Sequence, residues 1–170
     1  MNMANNIIKT YALGNMDDVT TATATQNASY KLGDRMRIYN DGDKVAKEYI
    51  YVQSNGGASQ YGAYAVTYSG TAGSEVQASA VATTSVYGLY GVAPIAVTTL
   101  YYFWLQIKGK CTALATSSTA TTTYFGKPAN GVATITNESA TRGTSSMIMW
   151  ITTATGTSTV GYLLGERIIV

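Results

Sequence analysis

The sequence predicts an all-β chain, an antiparallel β-sandwich or barrel with an extended N-terminal arm. Three observations predict it. Threonine occurs 26 times and tyrosine 14 times among 170 residues, and with valine they supply the β-branched and aromatic side chains that suit a pleated, half-buried surface. No window of about 11–18 residues carries an apolar stripe at helical period, whereas two-residue alternation is frequent. The alternating runs are short and are separated by Gly, Asn, Asp and Ser clusters about every 8–12 residues, the spacing of a sandwich or barrel.

The elements follow in order. Residues 1–28 are rich in Asn, Thr and Ala and poor in large apolar anchors; they read as the arm, able to order on a neighbouring subunit. Residues 29–170 read as one β domain. In Arg35-Met36-Arg37-Ile38-Tyr39, Met36 and Ile38 share one face and the arginines the other. Asn40-Asp41-Gly42-Asp43 is a turn signal, and Glu48 to Gln53 resumes the strand with Ile50 and Val52 on one face and Tyr49 and Tyr51 on the other. This predicts a hairpin with a long charged tip. Tyr61–Ser69 reads as a strand before the Gly70–Gly73 turn, and Glu75–Thr84 as a strand or loop. Ile95–Thr99 and Leu100–Lys108 read as adjacent strands or one bent strand, ended by Gly109-Lys110. In the second, Tyr102, Trp104 and Gln106 oppose Phe103, Leu105 and Ile107. Both faces are apolar for most of their length, which predicts cover on both sides. Further strands are expected at Cys111–Ala115, Thr121–Phe125, Val132–Thr136, Ser146–Thr152 and Tyr162–Val170, with a Ser/Thr loop at Ala115–Thr123.

Composition removes several classes of chemistry. The chain has no histidine and one cysteine. Histidine-dependent triads, imidazole metal sites and internal disulfides are therefore excluded. The net charge is +2 with no basic tract, which speaks against nucleic-acid binding. The first residues lack a basic segment and an apolar run of about 7–15 residues, so no secretory signal is expected. Tyr87–Ile107 is uncharged and long enough to span a bilayer. Its glycines, Pro94 and β-branched residues instead predict buried strands and no membrane span.

Charge is unevenly distributed. Residues 31–48 hold nine of the twenty charged side chains, and from Tyr49 to Ile107 the only charge is Glu75. A solvated monomer intersperses charge over its surface, so this stretch faces a core or another protein. Nine tyrosines fall within it, and tyrosine joins a large contact area to a polar tip. Three readings stand: subunit contact, filling of strand faces, or stacking of a glycan. Tyr101, Tyr102 and Trp104 are the candidate intersubunit residues, and the charged tip from Arg35 to Glu48 is the solvent- or partner-facing end.

Other motifs read blandly. Cys111, after a strand and without a histidine, is a small apolar filler. Asp41 and Asp43, flanked by Lys44 and Lys47, are too few for a calcium loop, and Asp17-Asp18 stands alone. Asn27-Ala28-Ser29 and Asn137-Glu138-Ser139 are chance glycosylation triplets in a Ser/Thr-rich chain. The glycines form no phosphate-binding pattern. No metal, cofactor or catalytic residue is expected.

Several segments resemble the head-decoration, capsid-stabilising proteins of tailed bacteriophages. They are Tyr30-Lys31-Leu32-Gly33-Asp34, the Asn40-Asp41-Gly42 turn, Tyr49-Ile50-Tyr51-Val52-Gln53, and Gly91-Val92-Ala93-Pro94-Ile95-Ala96-Val97-Thr98-Thr99 followed by Tyr102-Phe103-Trp104-Leu105-Gln106-Ile107-Lys108-Gly109. The closing Val160-Gly161-Tyr162-Leu163 to Val170 is similar to their last strand. The likeness covers residues 30–110 and, more weakly, 160–170; Lys110 and Phe103 stand where such proteins often have proline and glycine. The resemblance implies a non-enzymatic virion protein on the capsid exterior, assembled in the host cytoplasm. Its partners would be the major capsid protein and copies of itself, with a trimer favoured because it suits threefold sites on a shell. A phage tail or fibre component and a carbohydrate-binding β module are the alternatives.

Overall fold

The computed structural model describes residues 7–9, 19–40, 45–69, 75–80, 89–116, 124–138, 141, 146–152 and 157–165. They form eleven strands and, among the described residues, no α-helix: β1 Ile7–Lys9, β2 Arg35–Asn40, β3 Val45–Ser54, β4 Ala63–Ser69, β5 Glu75–Ser79, β6 Tyr90–Val92, β7 Tyr102–Leu114, β8 Phe125–Pro128, β9 Ile135–Asn137, β10 Ile148–Trp150 and β11 Ser158–Leu164. The chain is all-β, as its composition predicts. The strand order is β1-β2-β3-β5-β4-β6-β7-β11-β10-β8-β9, and a further pairing of β3 with β7 closes a five-stranded barrel of β3, β5, β4, β6 and β7. Its pairs are antiparallel except β3 with β5. Closure removes the exposed sheet edges that would invite aggregation.

The strand β7 belongs to two structures at once. Tyr102–Lys108 lies in the barrel against β3, and Lys108–Leu114 pairs with β11 in an outer sheet. The bend between them is at Gly109, whose φ is +92°. A Cβ there would come within 2.4 Å of the Ala46 carbonyl oxygen, so only glycine fits. The buried Gln106 side chain spans the bend, its Nε2 donating to the carbonyls of Lys108 at 3.2 Å and Lys110 at 2.9 Å. The outer sheet curls back on itself: Thr116 N donates to Ile135 O at 3.1 Å, bringing β9 beside the end of β7.

Strand alternation divides the apolar side chains among three cores. Ile50, Val52, Tyr64, Val66, Phe103, Leu105 and Ile107 fill the barrel. Ala63, Ala65, Tyr90 and Val92, on the outward faces of β4 and β6, meet Cys111, Ile135, Ile148 and Trp150 of the outer sheet region. The third core lies on the outside of β2, β3 and β7, where Met36, Ile38, Tyr49, Tyr51 and Trp104 are packed with Val19 and Tyr30.

Several expectations are met and others corrected. The faces assigned to Tyr49–Val52 and Tyr102–Ile107 are those observed, and Phe103 to Ile107 is buried on both sides. Gly109-Lys110 bends β7 where it was expected to end it, because Gln106 and β11 carry the backbone through. Ile95–Thr99 is not a strand; it makes a single bridge, Val97 to Ala58, in a loop. The β2–β3 hairpin is paired out to Asn40↔Val45, so its tip is shorter than predicted. Charge alternation hides that pairing: Arg37 faces Glu48 across the ladder. β1 was not predicted, lying in the segment read as the arm, and β6 falls within Tyr87–Ile107, which reads as buried strands without a strand placed at Tyr90–Val92. No helix among the described residues is long and apolar enough to cross a membrane; Tyr90–Val92 and Tyr102–Ile107 of the neutral stretch are strand. Asp17-Asp18, the Asp41–Asp43 turn, the Gly70–Gly73 turn, residues 81–88, Thr121–Thr123 and residues 166–170 lie outside the described residues.

Candidate functional site

The registers of β3 and β7 turn the charge asymmetry of the sequence into a spatial one. Glu48 pairs with Lys108 at one end of the ladder, and Gln53 with Tyr102 at the other. The first end is charged. Lys108 Nζ lies 3.5 Å and Arg37 Nε 3.9 Å from Glu48 Oε1. All three side chains keep substantial exposure, so these pairs add little stability. The second end is built from Ser54–Ala58 and Val97–Tyr102, which contain no charged residue.

At this neutral end Leu100 is held in an uncommon state. Its φ is +66°, a conformation costly for a bulky L-residue, and it is 57% exposed. Both of its backbone groups are fixed: its N–H donates to Ser54 O at 2.8 Å, and its carbonyl accepts from Gln53 Nε2 at 3.1 Å. The neighbours are fixed too, with Ser54 N donating to Tyr101 O at 2.8 Å and Tyr101 N to Thr98 O at 3.1 Å. The paired bonds of Ala58 and Val97, both 2.8 Å, anchor the other end of the loop. The loop thus presents an apolar side chain to water from a rigid backbone, and strain of this kind clusters at functional positions.

The three residues singled out from sequence are adjacent but play different parts. Tyr101 is half-buried and packs against the barrel core. Tyr102 is half-buried beside the outer core, its ring stacked on Tyr51 with centroids 6.3 Å apart. Trp104 is 1% exposed within its own chain. Its indole meets Tyr30 edge-on at 5.0 Å and Tyr51 at 5.1 Å. Its surface is therefore spent on intramolecular packing, which leaves Leu100, Tyr101 and Tyr102 as the accessible part of the group.

No protein-family model, curated protein or solved structure matches the chain. The chemistry of this region rests on its own side chains.

Beside Tyr102 is a pocket of about 140 Å³ lined by Thr21, Thr23, Asn27, Tyr30, Tyr51, Tyr102 and Trp104. The lead-in segment forms its other wall. Thr23 and Tyr102 exchange backbone bonds of 3.0 and 2.8 Å, Asn27 N donates to the Tyr51 hydroxyl at 3.1 Å, and Tyr30 N donates to Asn27 O at 3.1 Å. Asn27 Oδ1 accepts from Ser29 N at 2.9 Å, so this triplet asparagine shapes a turn. The described part of the predicted arm, Ile7–Lys9 and 19–28, lies on its own chain: β1 pairs with β2, and Val19 is buried in the outer core.

Cys111 is buried in the core between barrel and outer sheet, and burial pushes its thiol up to about 12 against a partial pull from Lys47. A thiolate is the reactive form, so this side chain is inert filler. Among the described residues no three His, Cys, Asp or Glu side chains gather in a way that could hold a metal ion.

Sequence reasoning passed over Leu100 and the lead-in side chains. Nothing in a leucine signals a positive φ. The low-complexity setting of residues 19–30 masked the two anchors, Val19 and Tyr30, that pin the segment down.

Proposed function

We propose that the chain is a structural virion protein that decorates and stabilises the outer surface of a phage capsid by burying the neutral end of its barrel against the major capsid protein and sister copies. The observation that carries this reading is Leu100: an exposed apolar residue fixed at φ +66° by hydrogen bonds on both backbone groups, between two segments, Ser54–Ala58 and Val97–Tyr102, that contain no charged residue. An interface core is depleted of charge, and its anchors bind best when pre-organised. The likeness of residues 30–110 to head-decoration proteins supplies the partner class. Trimeric assembly multiplies a modest contact by avidity, and the charged hairpin at the far end of the barrel then faces solvent.

The test is Leu100→Gly. Glycine adopts the observed φ without strain, so the fold is kept while the apolar knob is removed. Occupancy on purified heads lacking the protein, counted by cryo-electron microscopy, is expected to fall steeply. Full decoration by this variant overturns the proposed contact. A solution mass of three chains for the wild type supports the trimer, and a monomeric mass places the burial at the capsid alone.

A further inference from the structure

We propose that Asn130 and Asn55 are self-modification sites: each side-chain amide is attacked by the main-chain nitrogen of the glycine that follows it, and the carboxylates so formed weaken attachment of the neutral end as the protein ages. The chemistry stands on its own; its effect on attachment rests on the capsid contact proposed above.

The chain has nine asparagines, of which two precede glycine, in Asn55-Gly56 and Asn130-Gly131. Asparagine is a thermolabile residue, and glycine has no Cβ to hinder its nitrogen. The structure leaves both pairs open. Asn55, Gly56, Asn130 and Gly131 are all exposed. Among the described residues neither glycine N–H donates a hydrogen bond. Nothing lies within 4 Å of the Cβ position of either glycine, so the main chain has room to turn toward the amide. Asn137 is the contrast. The N–H that follows it, Glu138 N, donates to Phe125 O at 2.8 Å and is not free to attack.

In the reaction the glycine nitrogen gives up its proton and bonds to Cγ of the asparagine, and the Cγ–Nδ2 bond breaks. The amide nitrogen leaves as ammonia with that proton, and a cyclic imide remains. Water then opens the imide at one carbonyl or the other, giving aspartate or isoaspartate. Nothing is oxidised or reduced.

The two pairs meet in space. Gly56 follows β3, Gly131 lies between β8 and β9, and both line one hollow at the neutral end of the barrel. Either product places a carboxylate among Ser54–Ala58, Val97–Tyr102 and Ala129–Thr134, segments that carry no charge. Desolvating an unpaired carboxylate is costly, and interface cores are depleted of charge. Isoaspartate at position 55 also adds a main-chain carbon between Ser54, which holds Leu100, and Ala58, which is bonded to Val97. The rates differ. Asn55 is tied by Nδ2 to Ser79 Oγ at 3.4 Å and by its N–H to Ala78 O at 2.9 Å. Among the described residues no hydrogen bond holds the Asn130 side chain. Asn130 therefore converts first.

The experiment ages the full chain in mildly alkaline heavy-oxygen water and maps every asparagine by tandem mass spectrometry. Asn130 is expected to exchange its amide for a labelled carboxylate first, Asn55 more slowly, and Asn137 not at all. Asn130→Gln and Asn55→Gln, whose longer side chains close a less favourable ring, should each silence their own site. Circular dichroism confirms that the variants are folded. Fresh and aged protein, and the Asn55→Asp/Asn130→Asp double variant, are then added to purified heads. The aged protein and the double variant are expected to lose most of the fresh protein's occupancy. No conversion at Asn130 or Asn55, or conversion of Asn137 as fast as Asn130, overturns the chemistry. Full decoration by the aged protein overturns the effect on attachment. If fresh wild type fails to decorate heads, the capsid contact falls and the effect on attachment falls with it, while the masses still decide the chemistry.

Discussion

Two residues show how a side chain's setting overrides its type. Leucine has no preference for positive φ, yet Leu100 is held there by Ser54 and Gln53. Cysteine is a nucleophile by type, yet Cys111 is sealed in a core with its thiol pushed up to about 12 by burial. The thiol has a consequence for stability. The unfolded chain loses its thiol proton near pH 9, whereas the folded chain keeps it to about 12. Over that window the folded state binds more protons, so stability falls as pH rises; below it the group is neutral in both states and contributes no slope. Replacing Cys111 with alanine removes the titration. The urea midpoint of the wild type is therefore expected to drop relative to Cys111→Ala between pH 8 and about pH 10, by up to about 1.4 kcal/mol in unfolding free energy. Parallel pH profiles of the two proteins would contradict the buried thiol.

At the scale of elements, β7 decides the architecture. It contributes Phe103, Leu105 and Ile107 to the barrel, Trp104 to the outer core, and Cys111 and Ala113 to the core of the outer sheet. One strand can serve three cores because Gly109 bends it. Gly109→Ala places a Cβ against the Ala46 carbonyl and forces alanine to φ +92°. The expected cost is about 2 kcal/mol or more, a melting temperature lower by roughly 4–8 °C for a chain of this size. A variant melting with the wild type would mean that the bend has another origin. This element also marks what can be read from sequence. Strand faces were legible wherever alternation was apolar against polar or aromatic, as in Met36/Ile38, Ile50/Val52 and Phe103/Leu105/Ile107. Gly109-Lys110 read as a stop because glycine and charge usually punctuate strands. The rescue by Gln106 is a side-chain contact with carbonyls two and four residues on, which no two-residue periodicity reveals. Of the candidate site, Tyr101 and Tyr102 were legible as surface aromatics. Leu100 and the pocket were not, since they depend on a backbone angle and on the packing of a low-complexity segment.

For the whole molecule, the long stretch whose only charge is Glu75 is accounted for mainly by internal burial of its described residues. Closing a barrel and then covering two of its outer faces hides most of the described residues of Tyr49–Ile107 within a single chain; the large hydrophobic side chains of that stretch left exposed are Leu100 at the neutral end and Tyr68 on β4. The lead-in segment is the cover of the outer core. This changes what deletion of residues 1–24 is expected to do. A free tether would leave the domain intact and weaken only attachment to a partner. Here the deletion removes β1 from the edge of β2, Val19 from the outer core, and the Thr23 bridge to Tyr102. Trp104 then loses part of its cover. The truncated protein alone, with no capsid present, is expected to show a red-shifted tryptophan emission and a melting temperature lowered by several degrees, about 2–4 °C for each kcal/mol lost. The loss of Val19 burial accounts for about 1.5 kcal/mol or more of that. If the truncation keeps the wild-type emission and melting temperature but fails to decorate heads, residues 1–24 act on a partner and the outer core is closed without them.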